Sequence, residues 1–303
     1  MPAIDLGLYA MTVFLWGTSW LAIKFQLGVV SPEVSIVYRM AIAAAMMFVL
    51  CLAARRPMRF SAVDHGLMAF QGLCLFSTNY FFIYSGSQHL TTGLVAVAFS
   101  TVVILNIIGG AILFRTPIQP RVAIGAVLGI GGIAIVFWPE LAAFDTSRQG
   151  TFGLGLTLIG TGFASAGMLT SAWNQRKRGL PVLQSNAYGL FYGAIVITLL
   201  TVARGSEFVF DPAPAYVLSL LYLAVFATVA GFWSYLTLIG HIGPDRASYV
   251  TVLFPIVALA LSTWFEGFRW TALDAVGIAL VLLGNAVILT KRLPAWHTAD
   301  TSA

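Results

Sequence analysis

Two stretches decide the fold of this chain, GAVLGIGGIAIV (125–136) and GIALVLLGNAVI (277–288). Both are apolar and punctuated by glycine, and they lie 152 positions apart. The residues that are identical at that offset include His89 and His241, Gly125 and Gly277, and Gly132 and Gly284. The second half of the chain therefore repeats the first. If each half has five membrane spans, an odd number, the second half runs inverted across the bilayer, as in many secondary transporters.

The composition is that of a membrane protein. The chain has 303 residues, of which 59% are hydrophobic and 9% are charged, and its mean hydropathy is +0.90. A soluble domain has about 25% charged residues. Cys51 and Cys74 lie in apolar stretches and predict no disulfide framework. The net charge of +5 comes from basic residues scattered between apolar runs, so we expect a lipid bilayer and no nucleic acid as partner.

A helix needs roughly 20 apolar residues to cross the hydrocarbon layer. The sequence accordingly predicts an all-α polytopic protein with ten transmembrane helices, arranged as two inverted five-helix repeats around a central cavity. The first repeat covers 1–143, and the second covers 144–303 with a short C-terminal tail. The predicted spans are 6–26, 34–54, 65–86, 92–114, 122–138, 152–173, 182–203, 215–239, 246–266 and 273–290.

Basic residues predict the orientation. With ten spans, one set of connections and the C-terminal tail contain 11 Lys and Arg, and the other set contains 3. The positive-inside rule then places both termini in the cytoplasm. We expect a multi-pass protein of the cell inner (plasma) membrane.

Polar side chains are unevenly distributed among the spans. Spans 5 and 10 are rich in glycine and nearly free of polar groups, which favours a scaffold role. Spans 1, 3, 4, 6, 8 and 9 hold most hydroxyl, amide and polar aromatic groups, in stripes at helical spacing. These stripes favour helices that line a transport pathway. The alternative is a structural role, because such groups also form hydrogen bonds with their own backbone or with a neighbouring helix. The predicted substrate-binding residues are Trp16, Asn79, Tyr80, Ser100, Phe163 and Trp233.

Two cations, Lys24 and Arg39, fall inside spans on the predicted outer side. Glu33, Glu266 and Asp274 map to the same side and are candidate ion-pair partners. The cations predict an outer gate or a contact to a substrate carboxylate, and the alternative is snorkelling or a structural ion pair. The predicted gating or kink residues are Lys24, Arg39, Pro255 and Glu266, since a proline in mid-span permits a kink.

The middle of the predicted spans contains no carboxylate. Because proton or sodium coupling usually uses one, we favour uncoupled movement, with a coupling route not visible in the sequence as the alternative.

Enzyme signatures are weak. The chain has no G-x-x-x-x-G-K-[ST] loop and no His/Cys metal spacing, so we expect no cofactor, no metal and no enzymatic activity. Ser165 in GFASAG (162–167) leaves an intramembrane serine protease as an alternative, although a nucleophilic serine needs a His or Lys base at membrane depth.

Several stretches resemble a known family. LWGTSWLAIKF (15–25), SPEVSIVYRMAIA (31–43) and the matching ends of the two halves resemble the drug/metabolite transporter (DMT) superfamily, EamA-type. The resemblance implies two five-helix repeats and a cavity formed by helices 1, 3, 4, 6, 8 and 9. The segments 112–132 and 248–261 are similar to the branch that exports amino acids, including aromatic ones. One departure is at the end of span 4, where the family often has an acidic residue and this chain has Phe114 and Arg115.

Together these features predict a transporter that exports small amphipathic metabolites, with amino acids as the favoured substrates, by alternating access. The alternatives are a drug carrier, a sugar-phosphate or nucleotide-sugar carrier, and a non-transporting membrane protein such as a protease or scaffold. A monomer is the working hypothesis.

Overall fold

The computed structural model describes residues 1–26, 28–90, 92–144, 146–265 and 270–289. Within these ranges the chain forms α-helices and two π-helical segments, which we name π1 and π2. In chain order they are α1 (Ala3–Lys24), α2 (Pro32–Ala53), α3 (Ala62–Leu73), π1 (Cys74–Thr78), α4 (Asn79–Ser87), α5 (Thr92–Ser100), α6 (Val102–Phe114), α7 (Pro120–Val136), α8 (Trp138–Ala142), α9 (Arg148–Arg178), α10 (Val182–Ala203), α11 (Pro214–Tyr222), π2 (Leu223–Ala230), α12 (Gly231–Ile242), α13 (Pro244–Ala247), α14 (Val250–Phe265) and α15 (Ala272–Leu289).

In the described part of the chain, eight helical runs are long and apolar enough to cross a membrane. Two shorter apolar helices, α7 and α15, occupy the positions of the fifth and tenth predicted spans. The longest helix, α9, has 31 residues and extends beyond the predicted 152–173 at both ends. It begins early because Ser147 caps it through the Gly150 amide, and it ends at Gly179, whose φ of +63° is left-handed.

Four of the predicted spans are interrupted. The third contains π1 and the eighth contains π2. The fourth breaks between α5 and α6 at Thr101, whose hydroxyl donates to the carbonyl of Ala98 at 2.6 Å. The ninth breaks between α13 and α14, where Ser248 donates to the carbonyl of Asp245 at 3.0 Å. Continuous hydropathy concealed these interruptions, because a broken helix and an intact one have the same composition.

Helices α7 and α15 pack closely through glycine. A Cβ atom on Gly125 would lie 2.8 Å from the carbonyl oxygen of Gly284, and one on Gly132 would lie 2.5 Å from that of Gly277. The reciprocal distances, from Gly284 to the Gly125 oxygen and from Gly277 to the Gly132 oxygen, are 2.7 and 2.6 Å. The two backbones therefore touch at two points where only glycine fits.

Ionic and polar contacts tie helix ends together. Asp5 at the start of α1 lies 2.6 Å from His241 near the end of α12. Asp64 at the start of α3 lies 2.8 Å from Arg178 at the end of α9. These contacts place the start of one helix beside the end of its neighbour, so the paired helices run in opposite directions.

Candidate functional site

A buried cation is the most distinctive polar feature of the helical bundle. Arg39, two turns into α2, is only 5% exposed. Its Nε donates a hydrogen bond to Oγ1 of Thr228 at 2.7 Å. Its Cζ lies 5.5 Å from the ring centroid of Tyr80, and Tyr84, one turn further along α4, lies within its electrostatic reach. We call Arg39, Tyr80, Tyr84 and Thr228 the Arg39 cluster.

The wide turn of π2 positions Thr228. Its hydroxyl donates to the carbonyl of Leu223 at 2.9 Å, five residues back. A threonine in an α-helix bonds three or four residues back, so this hydrogen bond follows the π-helical repeat. The donated proton leaves the lone pairs of Oγ1 available to Arg39. Arg39 is therefore fixed by one side-chain acceptor, which is itself fixed to the backbone.

Trp16 contacts the same segment from α1. It lies near the middle of α1, and its Nε1 donates to the carbonyl of Ala227, next to Thr228, at 3.1 Å. The indole packs against Tyr235, Phe232 and Phe254, with ring centroids 4.8, 5.1 and 6.4 Å away. The polar edge of Trp16 is thus bound to π2, and its apolar body is part of an aromatic group.

Two predicted substrate-binding residues lie on α4, directly after π1. Asn79 is 6% exposed, and its Oδ1 accepts the backbone N–H of Tyr80 at 2.7 Å. Tyr80 itself stacks beneath Arg39. Tyr80 therefore faces Arg39 of α2.

The other three predicted residues have their recorded contacts elsewhere. Ser100 is fully buried and donates to the carbonyl of Val97 at 2.7 Å, at the break after α5. Phe163 stacks on Phe82, with centroids 5.8 Å apart and planes at 6°. Trp233 is 40% exposed. A cavity of about 500 Å³ on the surface of α9 is lined by none of the six predicted residues.

The predicted gating residues have varied positions. Pro255 is buried inside α14. The side chain of Lys24 and the whole of Glu266 lie outside the described residues. The proposed carboxylate partners are engaged elsewhere: Glu33 lies 3.6 Å from Arg204, and Asp274 accepts the amide and hydroxyl of Thr271 at 2.7 and 2.8 Å. Neither of these two candidate carboxylates has Arg39 as a recorded partner.

Sequence reasoning missed a group of buried amides between α3, α9 and α10. Oε1 of Gln71 accepts from Nδ2 of Asn174 and from the hydroxyl of Ser185, both at 3.1 Å, and its Nε2 donates to Oδ1 of Asn186 at 3.3 Å. All four side chains are at most 3% exposed. We call these residues the buried amide cluster. No spacing rule links them, because they come from three helices.

Ser165 has a structural partner. Its hydroxyl donates to Oδ1 of Asn106 at 2.7 Å, and Nδ2 of Asn106 donates to the sulfur of Met168 at 3.2 Å. An amide oxygen cannot serve as a general base, so the described residues provide no activated nucleophile at Ser165.

Comparisons with known proteins agree with the helical architecture. The model of the EamA-like transporter family matches residues 5–138 and 152–290. An uncharacterized transporter of Archaeoglobus fulgidus is 23% identical over 93% of this chain and 98% of its own length. Protein PagO of Salmonella typhimurium is 22% identical over 96% of this chain and 95% of its own. The uncharacterized inner membrane transporter YedA of Escherichia coli K12 is 25% identical over 71% of this chain and 70% of its own.

A solved crystal structure shares the fold, with a TM-score of 0.78, 16% sequence identity and coverage of 94% of this chain and 96% of that one. The family model covers both halves of the chain, and the Archaeoglobus and Salmonella relatives match it nearly end to end. This multi-pass helical chain belongs to the EamA-like transporter family of the DMT superfamily and is a membrane transporter.

Proposed function

We propose that this transporter exports small amphipathic metabolites, with amino acids as its main substrates, across the inner membrane by alternating access. In this proposal the chain crosses the membrane ten times as two inverted repeats, 1–143 and 144–303, with both termini in the cytoplasm. The contacts of α7 with α15 support the repeat. The two observed contacts are Gly125 with Gly284 and Gly132 with Gly277. A two-fold axis in the membrane plane that exchanges each residue with the one 152 positions away would turn the first contact into the second, as expected for inverted repeats.

The positions of the π-helical segments also support the repeat. Shifting π1 (74–78) by 152 positions gives 226–230, which lies within π2. π-helical turns inside α-helices are rare and occur often at functional sites. Two such turns at equivalent positions of the two halves fit a pair of helices that change conformation in the same way in both repeats.

One observation carries the choice of substrate class. The aromatic group around Trp16 lies beside the Arg39 cluster, because both contact neighbouring residues of π2. Aromatic faces stack on apolar side chains and attract an ammonium group, the latter with about 0.5–2 kcal/mol. Hydroxyl and amide groups such as those of Tyr80 and Asn79 bind polar substrate atoms. An amino acid has all of these features within a few ångströms.

The contacts at the helix ends fit the proposed mechanism. Asp5–His241 joins α1 to α12, and Asp64–Arg178 joins α3 to α9, both at the proposed cytoplasmic side. The helices joined in this way include α1, which carries Trp16, and α3, which continues through π1 into α4 and Tyr80. Opening towards the cytoplasm would separate these pairs, while the glycine-packed α7 and α15 remain together as scaffold.

The alternative carriers and non-transport roles have less support. A carrier of sugar phosphates or nucleotide sugars needs several cations around the substrate, and the Arg39 cluster contains one. A drug carrier would suit the aromatic group but would leave Arg39 without a role. A protease would need a base at Ser165, whose recorded partner is Asn106.

The test is flux from proteoliposomes preloaded with radiolabelled methionine, threonine, phenylalanine or tryptophan, with and without a pH gradient. We expect saturable efflux that needs no gradient. Trp16→Leu should reduce the rate about tenfold if stacking and cation–π contacts contribute about 1.4 kcal/mol. Trp264→Leu, at a 78% exposed tryptophan of α14, is the matched control and should leave the rate unchanged.

Two results would contradict the proposal. Absence of flux for all four amino acids, with protein folded by gel filtration, would exclude this substrate class. Strong stimulation of efflux by the pH gradient would exclude the uncoupled mechanism.

A further inference from the structure

The guanidinium of Arg39 is buried with few acceptors. Arginine is always charged and has five N–H donors, and a buried charge is stable only when it is paired or hydrogen-bonded. Among the described residues, Arg39 has one recorded hydrogen bond, through Nε to Thr228, and no carboxylate within ion-pair distance. The four N–H groups on its two Nη atoms have no recorded protein acceptor in this part of the chain.

The recorded contacts of Arg39 leave its two Nη atoms free to donate hydrogen bonds to a ligand. Thr228 fixes Nε, and the ring of Tyr80 lies 5.5 Å from Cζ. These two contacts restrain the plane without using the Nη pair. A planar fork held in this way is preorganised for two parallel hydrogen bonds to one carboxylate.

The position of Arg39 suits a ligand inside the bundle. It lies seven residues from Pro32, the first residue of α2, which is about 10 Å along the helix axis. This depth is beyond the helix-end contact of Glu33 with Arg204. The residue at the equivalent position of the second half is Phe191, which is 44% exposed. The cation is therefore present in one repeat only and is not part of the shared scaffold.

We propose that the Arg39 cluster is the anion subsite of the transported substrate and binds its carboxylate through the Nη pair of Arg39. This inference rests on the proposed function, because it specifies the part of the substrate that the cluster recognises. A monoanionic carboxylate matches a single cation. A phosphate dianion would need a second one, which the cluster does not contain.

The experiment compares ligands that differ only in the carboxylate. Purified protein is titrated with phenylalanine, methionine and tryptophan and with their amides, and the midpoint of thermal unfolding reports binding. Wild type should bind each acid about 10- to 100-fold more tightly than its amide, as expected for a charge-assisted bidentate pair. Arg39→Met should abolish this preference and leave the weak binding of the amides unchanged.

Further variants keep the test decisive if Arg39→Met does not fold. Arg39→Lys retains the charge without the fork and should reduce the preference to less than about tenfold. Thr228→Val removes the bond that orients the guanidinium and should also weaken acid binding. Arg204→Met is the matched control, because Arg204 is more exposed and already pairs with Glu33, and it should keep the full preference.

Three results would overturn the proposal. The first is an unchanged acid-over-amide preference in Arg39→Lys and Thr228→Val. The second is equal loss of acid and amide binding in a folded Arg39→Met, which would indicate a purely structural role. The third is Arg39-dependent binding of inorganic phosphate with no binding of carboxylates.

Failure of the proposed function has a different signature. If no amino acid binds, the same variants are titrated with benzoate and phenylpyruvate against their methyl esters. An Arg39-dependent preference for these acids would exclude amino acids as substrates and support the carboxylate subsite. No preference for any acid in wild type would exclude the subsite as well.

Discussion

The contact of α7 with α15 allows a sharp test, because two adjacent glycines differ in their surroundings. A Cβ atom at Gly132 would lie 2.5 Å from the backbone oxygen of Gly277, whereas one at Gly131 would have nothing within 4 Å. Ordinary van der Waals contact begins at 3.4 Å. Alanine at 132 therefore forces the helices apart by about 0.9 Å, which is 3.4 minus 2.5 Å.

Overpacking of this kind costs about 1–3 kcal/mol. Alanine also improves helix propensity over glycine by up to about 1 kcal/mol, so the net loss in Gly132→Ala should be about 0–2 kcal/mol. Gly131→Ala should gain up to about 1 kcal/mol. The difference between the two variants is the quantity to measure, because the propensity gain cancels and leaves about 1–3 kcal/mol.

The assay is reversible unfolding of the purified protein in mixed micelles, with transport measured in parallel. Gly277→Ala should cost about as much as Gly132→Ala, because its Cβ would lie 2.6 Å from the Gly132 oxygen. The double variant should cost less than the sum, since one separation of the helices relieves both clashes. Equal stability of Gly131→Ala and Gly132→Ala would refute the reasoning.

Three further predictions concern buried polar groups. Gln71→Leu leaves its amide and hydroxyl partners in the buried amide cluster without acceptor or donor and should cost about 2–5 kcal/mol in unfolding free energy. The control Gln88→Leu, at an exposed position, should cost less than about 0.5 kcal/mol. Similar costs for the two variants would contradict this prediction. Trp16→Phe keeps a six-membered aromatic ring but loses the bond to π2, worth about 0.6 kcal/mol on average in membranes, and the packing of the five-membered ring, so it should cost about 1–3 kcal/mol in total. A loss above about 3 kcal/mol in thermal unfolding would mean that the packing of the neighbouring rings was disturbed as well. Ser165→Ala removes the donor to the amide of α6 and should cost about 1–2 kcal/mol while preserving flux; loss of all flux in folded protein would show that the hydroxyl takes part in transport.

The sequence was sufficient to predict the architecture in outline because its signals are local. Low charge and apolar runs identified a membrane protein, and the described helices coincide with the predicted spans to within a few residues at most ends. The glycine-rich composition of spans 5 and 10 predicts close helix packing, and the glycines of α7 and α15 are in contact.

The candidate site was only partly predictable. The sequence marks Trp16 and Tyr80 as polar aromatic groups, and it marks Arg39 as an intramembrane cation with two interpretations. Nothing in the sequence points to Thr228, because a single hydroxyl in LAVFATVAG (223–231) forms no pattern. The π-helical turn that presents it depends on the packing of neighbouring helices.

By itself, the sequence determined the membrane class and the approximate spans, because these follow from hydropathy and length along the chain. Only the tertiary structure decided which polar groups meet. Arg39 and Thr228 are 189 residues apart in the chain, and Gln71 and Asn174 are 103 apart. In a membrane protein both the lipid-facing and the protein-facing sides of a helix are apolar, so hydrophobic periodicity does not reveal which side faces the bundle. Close packing and hydrogen bonding between helices supply that information.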